Sequence, residues 1–286
     1  MLTDKIKLWW RIIRPKTLFA SLCPVACAYI ATGYKKTGMF VAVLFCALCL
    51  QVLSNLINDY YDYKKGTDKK GRIGFKRALA EGTVSVAQMK KAVYICLALC
   101  LMLGLFLVLK GGLPVLAIGL TSLLFAWLYT ATSVSLSYLG IADIFVFVYY
   151  GIIPFTGTAY LLTDDLSSFV NTDYVFLGAI NGLISSMVLM INNIRDEKDD
   201  ALSGKKTVVV RMGRRFAYLL LTVYALLAAV FAYASLGLSL VLAVPVLMLL
   251  LCVKASDKKS DLNRCLFYTG LINMIYVLLL GITLSF

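Results

Sequence analysis

Two groups of polar side chains, each at the end of an apolar segment, are the residues best suited to do chemistry in this sequence. The first group is Gln51, Asn55, Asn58, Asp59 and Asp62, and it follows a long apolar run. At 100° of rotation per residue these side chains share one helical stripe about 100° wide. A helix that continues to Asp62 would therefore aim amides and carboxylates at one place.

A second group repeats this arrangement four apolar spans later. It consists of Asn192, Asn193, Asp196 and Asp200 on one stripe, with Arg195 and Asp199 beside them. Recurrence of equivalent clusters on equivalent spans indicates two pseudo-repeated halves, an arrangement that places a site at the interface between the halves. We therefore expect the two stripes to face each other.

Several carboxylates in a partly dry place repel each other unless cations lie among them. Oxygen ligands without His or Cys favour Mg²⁺, which typically bridges one or two carboxylates to the phosphates of a ligand. Both stripes lead directly into cationic loops, which contain Lys64, Lys65, Lys69, Lys70, Arg72, Lys76 and Arg77 after the first and Lys205, Lys206, Arg211, Arg214 and Arg215 after the second. The pattern predicts a phosphorylated, anionic substrate, although membrane orientation alone would explain most individual lysines.

The elements that must carry these stripes are membrane spans. The 286 residues are 61% apolar, with a mean hydropathy of +0.86, and nine apolar stretches approach the ~20 residues needed to cross a bilayer. The absence of His excludes imidazole catalysis and His-bound zinc. We predict an all-α bundle of about nine transmembrane helices, forming one domain over residues 1–286. The nine stretches are Thr17 to Gly33, Met39 to Tyr60, Val86 to Leu109, Leu113 to Thr130, Ser137 to Leu161, Tyr174 to Ile194, Phe216 to Ser235, Leu238 to Val253 and Leu262 to Phe286.

The distribution of charge predicts how the spans are oriented. Of 28 Lys and Arg residues, 25 fall in the leader and in alternate loops, and only Lys35, Lys36 and Lys110 fall on the opposite side. Because cytoplasmic loops hold the cations, we expect a cytoplasmic N-terminus, an external C-terminus and a site open to the cytoplasm. Residues 1–16 form an amphipathic pattern typical of an interfacial helix. Because the cations lie in short loops beside the spans, the net charge of +13 indicates a protein in a lipid bilayer. We expect no nucleic-acid partner.

Two further side chains are candidates with a competing explanation. Tyr129 lies at the predicted cytoplasmic level, where aromatic residues commonly anchor a protein in the interface, but it could also line a pocket that stabilises a cation. Asp143 stands alone in an apolar run, where an ionisable residue is functional by default.

The sequence resembles the UbiA superfamily of intramembrane aromatic prenyltransferases over most of its length. The resemblance lies in the stretch from Asn58 to Asp68, in the motif from Asn192 to Asp196 followed by Asp200, and in the stretch from Gly204 to Gly213. The spacing between Asp62 and Asp68 resembles the branch that prenylates 1,4-dihydroxy-2-naphthoate. Two departures are Phe75 in place of the usual Pro and Asp143 in place of a Glu.

The resemblance implies a reaction and a role for each motif residue. Mg²⁺ ions bridging to a polyprenyl diphosphate would be held by Asp62, Asp68, Asp196, Asp200, Asn58 and Asn192, and the diphosphate would contact Arg72, Arg77, Arg195 and Lys205. Asp62, Asp196 and Asp200 would carry catalysis, and Asn55, Asp59, Tyr129, Asp143 and Asn193 would complete the substrate-binding set. The naphthoate ring would then attack an allylic cation and lose carbon dioxide, giving a demethylmenaquinone for menaquinone biosynthesis in a bacterial cytoplasmic membrane.

Other functions use similar residues. A UbiA-type enzyme could prenylate another acceptor, such as 4-hydroxybenzoate. Phosphatidyl-transferring membrane enzymes also cluster Asp around a metal, but neither cluster has their order of Asp, Gly, Ala and Arg. A cation-coupled transporter would also contain repeated halves and embedded acids, but its site would tend to lie near the bilayer midplane.

Overall fold

The described part of the chain consists of helices joined by turns and loops. The computed structural model describes residues 2–66, 77–131, 135–136, 140–237, 253 and 259–285, and no strand occurs among them. The helices are α1 (Leu2–Ile13), α2 (Pro15–Ala31), α3 (Thr37–Lys64), α4 (Val86–Leu128), α5 (Ala142–Phe147), α6 (Ile153–Thr163), α7 (Thr172–Leu202), α8 (Val208–Leu236) and α9 (Lys259–Ser285). A π-helical turn, Val148–Ile152, joins α5 to α6, and a 3₁₀ turn, Leu166–Phe169, follows α6. The all-α prediction is confirmed.

Six stretches of helix are long and apolar enough to cross a membrane within the described part of the chain. They are α3, α4, the combined span Ala142–Thr163, α7, α8 and α9, and α2 is a shorter apolar helix. The third and fourth predicted spans both lie in the 43 residues of α4, which bends where Gly112 leaves helical geometry (φ 65°, ψ −150°) two residues before Pro114. The eighth predicted span lies outside the described residues except for Val253, so the count of nine stays a prediction.

Helix α7 is the centre of the bundle. It packs against α2, α5, α8 and α9, and its side chains Met187, Met190, Ile191 and Ile194 are fully buried in the main core. By contrast, α4 presents large apolar side chains outward, including Leu109 and Leu113, which are 76% and 78% exposed. An apolar outer surface of this extent is expected only where lipid covers it.

The π-helical turn is held against α7 by a very close approach of two backbones. A Cβ atom on Gly151 would lie 2.5 Å from the Cα of Gly182, so this crossing requires glycine. A π-helical turn adds a residue to the helix and changes which side chains point inward. Here Tyr149 and Tyr150, both within the turn, line an internal cavity.

The junction between α1 and α2 has an unusual backbone. Arg14 adopts a left-handed conformation (φ 58°, ψ 66°) immediately before Pro15, the first residue of α2. Such a conformation costs a non-glycine residue about 1 kcal/mol or more. Asn55 on α3 stabilises the junction, because its Nδ2 donates to the Ile13 carbonyl at 3.0 Å and to Thr17 Oγ1 at 3.1 Å. The Arg14 side chain is thereby directed toward α3.

Candidate active site

A cavity of about 540 Å³, here called the polar cavity, lies where the ends of α2, α3, α5, α7 and α9 meet. Helices α3 and α7 continue past their apolar runs to Lys64 and Leu202, as both stripes require. The end of the first stripe and the second stripe therefore line one cavity. Of the predicted site residues, the lining includes Asn58, Asp62, Arg77, Tyr129, Asp143, Asn192, Asn193, Arg195, Asp196, Asp200 and Lys205.

Lys205 connects the carboxylates of the two stripes. Its Nζ lies 3.4 Å from Asp62 Oδ2 on α3 and 4.0 Å from Asp200 Oδ1 on α7. Asp62 is 1% exposed, and its second oxygen, Oδ1, is buried with no hydrogen-bond partner among the described residues. A buried carboxylate oxygen of this kind is costly unless a ligand or cation satisfies it.

The loop after α7 folds back to place Lys205. Gly204 has a positive φ of 76°, and the Lys205 amide donates to the Asp200 carbonyl at 2.9 Å. The next residue, Lys206, packs closely against Gly140, since a Cβ on Gly140 would lie 2.6 Å from the Lys206 carbonyl oxygen. The predicted cationic loop therefore begins inside the cavity wall.

Arg195 and Asp196 form a second ion pair in the cavity. The guanidinium donates through Nε and Nη2 to the two carboxylate oxygens, at 2.9 Å and 2.7 Å. Its Nη1 also donates to Asn263 Oδ1 on α9 at 2.8 Å. Bidentate pairing of this kind fixes both groups in orientation, so α7 and α9 share a rigid polar wall.

Asp59 has a different environment from its neighbour Asp62. It is 1% exposed, does not line the polar cavity, and pairs with the guanidinium groups of Arg14 and Arg77. Both arginines do line the cavity. Asp59 is thus placed behind two cationic side chains and holds them at the cavity wall.

Arg14 is a cavity residue that the sequence did not single out. As one of five cations in the leader, it was accounted for by membrane orientation. The signal that distinguishes it is its position directly before Pro15, at the entry to the first span and therefore at the level of both stripes. Asn55, a predicted substrate-binding residue, lies outside the polar cavity and supports the Arg14 junction. Asp68 and Arg72 lie outside the described residues.

Asp143 lines the polar cavity from helix α5. It lies in the first turn of α5, is 9% exposed, and its Oδ1 accepts a hydrogen bond from the hydroxyl of Tyr224 at 3.4 Å.

At the end of α3, Lys65 donates to the Thr130 carbonyl at 2.5 Å. Burial lowers the pKa of Lys65 below its usual value, and the nearby Asp62 carboxylate opposes this shift.

A second cavity of about 520 Å³, the apolar cavity, extends from the polar one into the bundle. Along α3 its lining follows helical spacing through Val43, Leu50 and Ser54 to Asn58. Leu101, Leu105 and Leu120 of α4 line it as well and are more than half exposed on the outer surface. Nine residues border both cavities: Arg14, Lys16, Thr17, Asn58, Tyr129, Val188, Leu189, Asn192 and Leu266.

The polar cavity contains oxygen donors suited to a hard divalent cation, but the carboxylates are paired with basic side chains in this structure. In the described part of the chain, no three acidic or cysteine side chains converge at metal-binding distance. Asp62 Oδ1 nevertheless has no hydrogen-bond partner among the described residues, and Asp196, Asp200, Asn58 and Asn192 line the same cavity as Asp62. These donors fit Mg²⁺, which requires only one or two protein carboxylates when it also binds phosphate.

The chain is similar to proteins of one family throughout its length. Residues 19–275 match the UbiA prenyltransferase family. It is 33% identical to a 1,4-dihydroxy-2-naphthoate octaprenyltransferase of Haemophilus influenzae, over 99% of this chain and 97% of the relative. A protein of the same name from Escherichia coli is 34% identical over 73% of this chain and 70% of the relative.

Solved structures share the fold at lower identity. A UbiA homolog from Archaeoglobus fulgidus bound to DMAPP and Mg²⁺ superimposes with a TM-score of 0.69 at 16% identity, covering 96% of this chain and 98% of that one. The apo structure of a UbiA homolog from Aeropyrum pernix gives a TM-score of 0.69 at 14% identity, covering 92% and 97%. The helical fold inferred from the sequence is thus shared with these UbiA homologs.

Proposed function

Because the chain belongs to the UbiA prenyltransferase family, we propose that it transfers a polyprenyl group from polyprenyl diphosphate to 1,4-dihydroxy-2-naphthoate, with decarboxylation. The sequence prediction of a UbiA-type prenyltransferase that acts on this acceptor is confirmed by the family match and the named relatives. The chain is a multi-pass membrane protein.

The observation that carries the proposal is the junction of the two cavities. One cavity is lined by basic and acidic side chains, and the other by apolar residues, and they share a border at Asn58, Tyr129 and Asn192. A prenyl diphosphate has a matching division, since its anionic head is joined directly to a long hydrocarbon chain. The reactive carbon, between head and chain, would lie at this border.

The basic residues of the polar cavity would bind and orient the diphosphate. Arg14, Arg77, Arg195 and Lys205 all line this cavity, and guanidinium groups bind phosphate oxygens through paired donors. Mg²⁺ held by Asp62, Asp196, Asp200, Asn58 and Asn192 would neutralise the charge that develops on the leaving diphosphate. Asp68 and Arg72 remain part of the proposed set from the sequence alone.

The remaining side chains would control what happens after the carbon–oxygen bond breaks. Phenylalanine and tyrosine side chains such as Phe125, Tyr129 and Tyr149 line the apolar cavity, exclude water and can stabilise an allylic cation. The ring carbon that bears the carboxylate then bonds to the prenyl carbon, and that carboxylate leaves as carbon dioxide. No net proton transfer is required, which agrees with a sequence that contains no His.

The proposed membrane orientation follows from charge. With 25 of the 28 cations on one side, the N-terminus and the polar cavity would face the cytoplasm and the C-terminus would lie outside, in a bacterial cytoplasmic membrane. The polyprenyl tail would extend through the apolar cavity toward the exposed leucines of α4 and so into lipid.

The function is tested with purified protein, Mg²⁺ and one allylic diphosphate. Dihydroxynaphthoate and 4-hydroxybenzoate are supplied in parallel, diphosphate release is measured, and the products are weighed by mass spectrometry. We expect a prenylated naphthol that has lost its carboxyl group. A main product of prenylated hydroxybenzoate, or a naphthoate product that retains the carboxyl, would refute the proposed acceptor chemistry, and no diphosphate release with either would refute the reaction class.

A further inference from the structure

The apolar cavity is also lined by a group of polar side chains, here called the polar level, whose hydrogen-bonding groups a prenyl tail cannot satisfy. Gln51 on α3, Tyr150 in the π-helical turn, Ser185 on α7 and Asn273 on α9 all line it. Gln51, Ser185 and Asn273 are only 7%, 3% and 2% exposed. None of the four borders the polar cavity.

The spacing of these four residues along their helices indicates a similar depth in the bundle. Gln51, Ser185 and Asn273 are each seven residues from a residue that borders both cavities, namely Asn58, Asn192 and Leu266. Tyr150 is likewise seven residues beyond Asp143, which lines the polar cavity. Seven residues are two helical turns, or about 10 Å along each helix. Four separate helical segments thus carry polar groups about two turns from residues that line the polar cavity.

Three of these residues have a buried atom without a partner. Gln51 Oε1, Ser185 Oγ and Asn273 Oδ1 are buried and make no hydrogen bond within the described part of the structure. Buried polar atoms are nearly always hydrogen-bonded, to protein, water or ligand. A hydrocarbon tail offers neither donor nor acceptor, so its presence alone would leave all three atoms unsatisfied.

A ligand that satisfies these atoms must bring a hydrogen-bond donor, and a hydroxyl group is one such donor. An amide oxygen such as Asn273 Oδ1 accepts hydrogen bonds only, whereas Ser185 Oγ can donate or accept. Across the cavity, the Tyr150 hydroxyl lies beside the side chains of Gln51 and Ser54. The level therefore combines acceptors and donors around an aromatic wall, which suits a flat ring with polar substituents at its edge.

We propose that this level, formed by Gln51, Tyr150, Ser185 and Asn273, binds the ring hydroxyl of the aromatic acceptor that points away from the diphosphate. The inference rests on the proposed function and adds an acceptor-recognition site to it. The acceptor's reacting carbon would face the border residues, and its far hydroxyl would donate to Asn273 Oδ1. Asn273 is accordingly a residue that discriminates between acceptors with and without that hydroxyl.

The test compares Asn273→Leu with wild type, using 1,4-dihydroxy-2-naphthoate and 1-hydroxy-2-naphthoate. Leu has the same branching and the same number of side-chain heavy atoms as Asn but no acceptor oxygen. Loss of one buried hydrogen bond should raise the acceptor KM about tenfold and leave the KM for prenyl diphosphate within about twofold. Wild type should favour the dihydroxy compound, and the variant should favour neither.

Asn181→Leu is the matched control. Asn181 is fully buried on α7, and its Oδ1 also lacks a hydrogen-bond partner in the described structure, but it lines neither cavity. A loss of stability common to both variants would therefore be separated from a loss of acceptor binding. Thermal unfolding in detergent reports stability, and Ser185→Ala provides a smaller change at the same level, with an expected increase in acceptor KM of a few fold.

The outcomes distinguish this inference from the function beneath it. If wild type makes the prenylated naphthol and Asn273→Leu keeps the preference for the dihydroxy compound, the acceptor site is wrong and the proposed function stands. If both acceptor and prenyl diphosphate KM values rise together in Asn273→Leu, the role is structural and the inference fails. If wild type prenylates a different hydroxylated acceptor, the proposed acceptor fails, and the same variants tested with and without that acceptor's hydroxyl decide the role of the level.

Discussion

Replacing Asp59 by Asn tests whether Asp59 and Asp62, which belong to the same sequence motif, have different roles. The Asp59 carboxylate is buried between Arg14 and Arg77 and does not line the polar cavity, whereas Asp62 lines that cavity and lies beside Lys205 and Arg77. We expect Asp59→Asn to weaken prenyl diphosphate binding and stability and to leave the dependence on Mg²⁺ unchanged. Asp62→Asn is the matched control, since it should act on the metal.

The magnitude follows from the pairs that are broken. Removing one partner of a buried ion pair costs about 3–5 kcal/mol, because the remaining charge is buried alone. The arginine side chains are 14% and 10% exposed, and Asn retains one acceptor oxygen. We therefore expect a loss of about 2–3 kcal/mol in the free energy of unfolding, visible as a lower midpoint of thermal unfolding in detergent.

Two effects on diphosphate binding oppose each other in this variant. Loss of the Asp59 charge removes a repulsion between this carboxylate and the anionic diphosphate, which favours binding by about 1 kcal/mol at an effective dielectric constant of about 40. Misplacing two guanidinium groups forfeits charge-assisted hydrogen bonds of about 1.5–3 kcal/mol each. Positioning outweighs charge, so the KM for prenyl diphosphate should rise at least about tenfold.

Kinetics at several Mg²⁺ concentrations decide the matter. A higher prenyl diphosphate KM with an unchanged half-saturating Mg²⁺ concentration supports the positioning role of Asp59. If the KM falls, Asp59 competes with the substrate for Arg14 and Arg77. If the Mg²⁺ requirement shifts as far as in Asp62→Asn, Asp59 is a metal ligand and the reasoning from its pairing is refuted.

The remaining predictions concern the metal and its ligands. Activity should disappear in excess chelator and return on addition of Mg²⁺, because the carboxylates cannot hold a diphosphate unaided; full turnover in chelator would contradict the proposed site. Asp62→Asn and Asp196→Asn should each abolish turnover while the protein remains folded in membranes, since each removes a ligand and little packing. Thermal unfolding monitors folding, and near-normal rates in either variant would remove that residue from the catalytic set.

Much of the fold and of the site could be predicted because both depend on periodicity. Membrane spans require long apolar runs, and a polar stripe at the end of such a run extends the helix that bears it. The continuation of α3 to Lys64 and of α7 to Leu202 follows from this rule. The convergence of the stripes at one cavity follows from their recurrence in two halves.

Other features depend on contacts between distant residues and left no local signal. Asp59 and Arg14 are 45 positions apart, so a stripe that contains both Asp59 and Asp62 cannot show that only one faces the cavity. The bend of α4 at Gly112 depends on a single backbone conformation in a continuous helix, although Pro114 was visible in the sequence. Asn273 is one polar residue in an apolar span, and only the packed bundle shows its common depth with Ser185.

The ion pairs in the polar cavity explain how a site rich in carboxylates can also bind an anion. Lys205 lies between Asp62 and Asp200, and Arg195 lies against Asp196, which offsets the repulsion among buried acids. If Mg²⁺ takes over the neutralisation of these carboxylates, the cations become available for the phosphate oxygens. Metal and diphosphate would then bind together more favourably than either alone, since each removes a cost that the other would otherwise incur.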